Sequence, residues 1–145
     1  LGDIVSNKGQ SVSEDVNGLA FLFNINAANL AMQTNNSVIL DEATAAPFAN
    51  NKGYKLTRVG AIASNDPSAE LTLDNLSQKT LNVEIKNVYA LYEGSMDFAV
   101  RIINIPDANK DTVITVRPYY VLSNGENSIV IYEDAVSGTY NAALS

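Results

Sequence analysis

Chemistry needs groups that titrate, coordinate or attack, and this 145-residue chain withholds the commonest of them. It has no histidine, hence neither the usual general base nor the usual zinc ligand, and no cysteine, hence no thiol nucleophile. Carboxylates remain, and two of them about 5 to 10 Å apart suffice for glycoside hydrolysis. Glu84, Glu93 and Asp97 are the candidates, yet each lies among small polar neighbours of the kind found on solvated strand faces and loops. The expectation is a protein that is not an enzyme.

Three further constellations carry weaker chemistry. Asp107, Asn109 and Asp111 have the alternate-residue oxygen spacing with which a loop wraps calcium. An EF-hand, counted from Asp107, would need glycine at its sixth place and glutamate at its twelfth, where Thr112 and Pro118 stand, so a polar turn after Pro106 is the simpler expectation. No other cofactor is expected. Tyr89, Tyr92, Tyr119, Tyr120 and Tyr132 could stack on sugar rings and make the chain a carbohydrate-binding module. Tryptophan, the largest stacking surface, is absent, and tyrosines inside strands commonly serve as core or cross-strand pairs. Arg58, Arg101 and Arg117 sit in otherwise apolar strands, where a guanidinium needs a carboxylate or carbonyl partner to offset its desolvation.

The elements that must carry these residues read as strands. Leu19, Phe21, Phe23 and Ile25 recur at period two, with Asn24 and Asn26 on the opposite face. A second long strand is predicted around Tyr54, Leu56, Arg58, Gly60 and Ile62, closed by a turn at Asn65-Asp66-Pro67. Leu81, Val83 and Ile85 alternate, and a bulge across Lys86-Asn87 would shift the phase to Val88, Ala90 and Tyr92. Met96, Phe98, Val100 and Ile102 mark the next strand. From Asp111 to Leu122 both faces are largely apolar, which predicts a central strand, and Ser123-Asn124-Gly125 turns it into Ser128 to Tyr132. A last strand is predicted over Val136 to Tyr140. Residues 27–32 read as a helical turn or two, and the stretch 44–51, with Pro47, as irregular. About eight strands at such spacing predict an all-β fold, an antiparallel β-sandwich or jelly-roll.

Composition excludes several partners. A net charge of −7 with nine scattered basic residues offers no patch to neutralise phosphates, and no apolar run nears the length that spans a bilayer. Neither nucleic acid nor membrane insertion is expected. A start at Leu1, with no basic and apolar leader before it, is the expectation for a mature or trimmed product. Residues 1–17 are polar, with isolated apolar side chains at Ile4, Val5, Val12 and Val16, and are expected to stand apart from a domain at 18–145 as a linker or as a donor strand. A donor strand would complete the sheet edge of a neighbouring subunit and propagate a homopolymer.

Ile105-Pro106, the strand Val116-Arg117-Pro118-Tyr119, the hairpin Ser123 to Asn127 and the ending Tyr132 to Asn141 share a pattern. Phe98 to Leu144 as a whole resembles the closing part of a β module in secreted and surface proteins of Firmicutes such as ruminococci and clostridia, and Gly18 to Phe23 and Gly53 to Ala63 look like its earlier strands. The resemblance implies an extracellular or cell-surface β domain acting as spacer, adhesive unit, fibre subunit or accessory to glycan degradation. It carries over no functional residue.

Overall fold

The computed structural model describes residues 5–26, 55–85, 95–123 and 128–144. Their order along the chain is β1 (Val5–Ser13), β2 (Gly18–Asn26), β3 (Lys55–Ser64), β4 (Thr80–Ile85), β5 (Ser95–Ile102), β6 (Ile114–Ser123), β7 (Ser128–Tyr132), β8 (Val136–Gly138) and a short helix α1 (Tyr140–Leu144). The strands form two antiparallel sheets, as an all-β sandwich requires. One has three strands in the order β1-β2-β5; the other has five, in the order β4-β3-β6-β7, with β8 also paired to β6.

The alternation read in β2 is the alternation that packs. Leu19, Phe21, Phe23 and Ile25 are all buried between the sheets, where Val59, Ala61, Ala63, Val116, Tyr120 and Leu122 meet them from the larger sheet. The Phe23 ring stacks on that of Phe98 across the β2–β5 pair at 5.2 Å. Tyr140, at the start of α1, joins the same core, so the strand expected over Val136 to Tyr140 ends at Gly138 and gives way to helix.

Strand β6 is central and apolar on both faces because both are covered. Its inner face lies in the main core; on its outer face Tyr119 and Val121 pack with Ile62 of β3 beneath Leu71. Leu71 belongs to the connection 65–79, which folds back over the sheet. That connection starts with the expected turn: Asp66 Oδ1 accepts from the Ser68 backbone N–H at 3.0 Å and its carbonyl accepts from Ala69 N at 3.1 Å. Pro118 is tolerated inside β6 for a local reason. β8 pairs with Ile114–Val116 and β7 with Tyr119–Ser123, so the proline falls in the gap between them. Its carbonyl accepts from Glu133 N at 2.9 Å, and in a strand the missing N–H points the same way, into that gap.

The boundary expected between residues 17 and 18 does not divide the structure. β1 and β2 form a hairpin across it, in register from Val5↔Ile25 to Ser13↔Gly18. The hairpin carries a bulge between Asn7 and Gly9, with Lys8 as the extra residue. A second bulge interrupts the β3–β6 pairing between Leu56 and Arg58. The bulge expected at Lys86-Asn87, the helical turns at 27–32 and the irregular stretch 44–51 lie outside the described residues. Among those described, no helix is long and apolar enough to cross a membrane.

Candidate functional site

The densest polar cluster lies on the outer face of the five-stranded sheet. Arg58 on β3 donates to Glu84 on β4, and the fully buried Tyr119 on β6 reaches across β3 to donate to Glu84 Oε1 at 2.8 Å. Asn82 Oδ1 stands 2.7 Å from the same hydroxyl, which has one proton for two acceptors; an Asn82 amide turned to present its NH₂ group satisfies both. Gly60, paired to both Glu84 and Tyr119, is what lets the ring lie flat across β3. A short step along β6, Arg117 donates to the Glu133 carbonyl at 3.2 Å and lies over the Tyr132 ring at 4.7 Å, while the Tyr132 hydroxyl accepts from Leu73 N–H at 2.9 Å.

This network is cohesive in character. The hydrogen bond from Arg58 holds the Glu84 carboxyl below its ordinary range, with burial opposing; burial first, then the bond to Glu84, push the Tyr119 hydroxyl upward. Each group is thus fixed in the state its partner wants, charged Glu84 and neutral Tyr119. A depressed carboxyl stabilises the fold above the ordinary value near 4.5 and loses that contribution as pH falls through the lower folded value. With Glu84 one-third exposed and Arg58 more so, screening holds the effect to about 0.5 kcal/mol. The raised Tyr119 works at the other end: its contribution is present below 10.0 and lost as pH rises beyond it. We expect Glu84→Gln to be less stable than the parent at pH 7, with the gap narrowing as pH falls below 4.5 in urea titrations. A gap independent of pH would remove the ion pair as its cause.

The described residues among those singled out for binding do not converge. Tyr119 and Tyr120 are buried on opposite faces of β6, and Tyr132 has its ring under Arg117 and its hydroxyl on Leu73, so none of the three offers a free ring face to a sugar. Tyr89, Tyr92 and Glu93 lie outside the described residues. Asp107 bonds Lys110 at 2.8 Å, Asn109 faces Thr112 at 3.5 Å, and Asp111 accepts from Asn141 at 2.9 Å. Each side chain of the expected calcium triad is therefore turned to a different neighbour, the two aspartates through an oxygen and Asn109 through its amide nitrogen, around a 3-10 turn, the polar turn expected after Pro106. Among the described residues no group of three or more acidic side chains could hold a metal. Of the arginines, Arg58 and Arg117 have the expected partners; Arg101 has no carboxylate partner among the described residues.

The assembly candidates fall in and beside β1. Val5 is buried in the core, Val12 packs against it, and Val16 stands exposed in the 3-10 turn Glu14–Val16; Ile4 is outside the described residues. The same edge is tied to the other sheet by Gln10, whose side chain donates to the Ser137 carbonyl of β8 at 3.1 Å. Sequence reasoning passed over Gln10, because a lone glutamine gives no signal of a bond to a strand 127 positions away.

It also passed over the opposite side of the sandwich. Leu81 pairs with the core residue Ala63 and so points between the sheets, yet it is 46% exposed. Beside it a groove of about 370 Å³ runs to Ile102 and Ile114, and a second of about 290 Å³ continues past the half-exposed Ile103 to Ile105. Among the described residues nothing closes the gap between β4 and β5. Alternation could place Leu81 inward but could not show how little of its face the described residues cover. No protein-family model, curated protein or solved structure matches this chain.

Proposed function

We propose that this chain is a non-enzymatic structural or adhesive β module of a bacterial cell surface, and that it assembles into fibres by exchanging β1 between copies. The extracellular setting rests on the resemblance of residues 98–144 to surface modules. The exchange rests on one observation above all: β1 is an edge strand whose described apolar hold on the core consists of Val5 and Val12, with Asn7 and Gln10 between them.

The hinge favours the same step. β1 reaches β2 through one 3-10 turn, Glu14–Val16, closed by Asn17 in the left-handed region at φ 50°. Short, tight hinges of this kind promote swapping, because straightening them relieves a conformation that a non-glycine residue adopts at a cost. Every contact β1 gives up, the Gln10 bond to β8 included, is remade in the neighbour, so the exchange costs little beyond association entropy. A head-to-tail exchange that does not close on itself extends into a filament.

The test uses the absence of native cysteine. Ser11 and Ala20 are cross-strand partners in β1 and β2, and antiparallel partners stand within disulfide range. The purified parent should sediment as large species and show fibres by electron microscopy. Ser11→Cys/Ala20→Cys, oxidised as a monomer, should stay small and regain fibres on reduction. Fibres from the locked monomer, or a parent that never exceeds a dimer, would sink the exchange.

A further inference from the structure

The other edge of the small sheet carries a different instruction. β5 pairs with β2 without interruption over eight positions, from Leu19↔Ile102 to Asn26↔Ser95, and among the described residues nothing pairs with its far side. Edges exposed in this way are commonly defended by lysine, proline or a bulge. β1 has such a defence in Lys8 and the bulge at Asn7/Gly9. β5, Ser95–Ile102, has no lysine, proline, glycine or bulge.

Its sequence is also symmetric about Ala99. Asp97 and Arg101 lie two residues to either side, both exposed on the outer face; Phe98 and Val100 lie one residue to either side, on the face turned to the core. We infer that two copies of this chain join along β5, antiparallel and two-fold symmetric about Ala99, into one continuous six-stranded sheet. This inference deepens the assembly reading above and rests on it for its biological setting.

In that register Asp97 stands opposite the partner's Arg101 and Arg101 opposite the partner's Asp97, while Phe98 meets the partner's Val100. Opposite charges directly across an antiparallel pair are favourable and like charges are not. The register is selected by what its neighbours lose. A slip by one residue sets the apolar inner face of one copy beside the charged outer face of the other, with Phe98 opposite the partner's Arg101. A slip by two leaves both charges without an opposite. A slip by four places Asp97 on Asp97 or Arg101 on Arg101. The side chains are ready for the pairing: Asn24 donates to Asp97 Oδ1 at 2.8 Å, which orients the carboxylate, and Arg101 is uncommitted among the described residues. Because the contact is isologous it closes at two copies and does not extend a filament.

Sedimentation equilibrium of the full chain carrying the oxidised Ser11→Cys/Ala20→Cys lock, which blocks fibre growth, should show a reversible dimer at rising concentration. Arg101→Asp and Asp97→Arg should each weaken it at least tenfold, because each sets like charges face to face at two places. Combining the two restores opposition and should recover most of the affinity, with thermal melts confirming that each variant is folded. Ala99→Cys should form a disulfide-linked dimer across the axis on mild oxidation, whereas Ser11→Cys on the far edge should not. A locked chain that stays monomeric, single reversals with no effect, or a double reversal as weak as the singles would each overturn the pairing. The oxidised β1–β2 lock separates the two ideas: it should abolish fibres and leave this dimer intact. A dimer without fibres in the reduced lock variant removes the exchange alone, and fibres on reduction with no dimer in the oxidised lock remove the β5 pairing alone.

Discussion

Gly60→Ala should lower stability by about 3 kcal/mol, combining the ~1–3 kcal/mol of an overpacked site with the loss of hydrogen bonds to a partly buried carboxylate. The backbone does not forbid the change, since Gly60 has no positive φ; space does. A methyl on Gly60 would stand 2.7 Å from the Tyr119 hydroxyl oxygen and 2.9 Å from its Cζ, and would press on the Val83 carbonyl. The ring must move, and moving it breaks the bridge to Glu84 and Asn82 that ties β6 to β4 across β3. For a domain of this size the melting temperature should fall by roughly 10 °C.

The cause can be isolated by a double-mutant cycle. Tyr119→Ala removes the ring that the methyl would strike, so Gly60→Ala in that background should cost at least 1 kcal/mol less, a coupling expected only of residues in contact. Tyr119→Phe should cost about 1–2 kcal/mol by leaving Glu84 one bond short. Equal costs of Gly60→Ala in both backgrounds would assign the loss to Val83 or to the strand itself, and not to the tyrosine.

The contrast between β2 and β1 shows what alternation can and cannot convey. In β2 the inward side chains follow strict period two from Leu19 to Ile25, so the buried face was legible without any structure. In β1, Val5 and Val12 are seven residues apart, an odd spacing that puts them on opposite faces of a regular strand. The extra residue Lys8 restores them to one face, and no residue type announces it. Alternation alone therefore makes the first strand look like a polar segment outside the domain. β6 was legible as central because its cover from residues 65–79 left an apolar imprint on both faces. The tyrosines were misleading for the same reason: periodicity placed Tyr119 and Tyr120 on opposite faces, yet only the fold could reveal that both faces are covered. Edge status is the least legible property. The symmetry of β5 about Ala99 is present in the sequence, but acquires meaning only once β5 is known to have, among the described residues, β2 alone as its neighbour.

Phe21→Ala should be the most damaging truncation, at about 4 kcal/mol, within the ~3–5 kcal/mol typical of a buried phenylalanine that leaves a cavity. Phe21 is fully buried at the middle of β2, which among the described strands of the small sheet has neighbours on both sides, opposite Gln10 on β1 and Val100 on β5. A loss of that size takes a quarter or more of a stability of about 5–15 kcal/mol, and should lower the melting temperature by about 15 °C. The neighbouring Leu22→Ala, on the outer face and half-buried, should cost no more than about 1.5 kcal/mol. The two effects together test the face assignment, since a sheet slipped by one residue would reverse them. They also test the route to assembly. The core under Phe21 anchors both β1 and β5, but the β5 pairing needs only an intact edge, whereas exchange of β1 needs that strand to leave. Phe21→Ala at a temperature where it remains folded should therefore hasten fibre formation by loosening β1, and leave the dimer affinity within about threefold of the parent. Slower fibre growth would mean that β1 stays home during assembly.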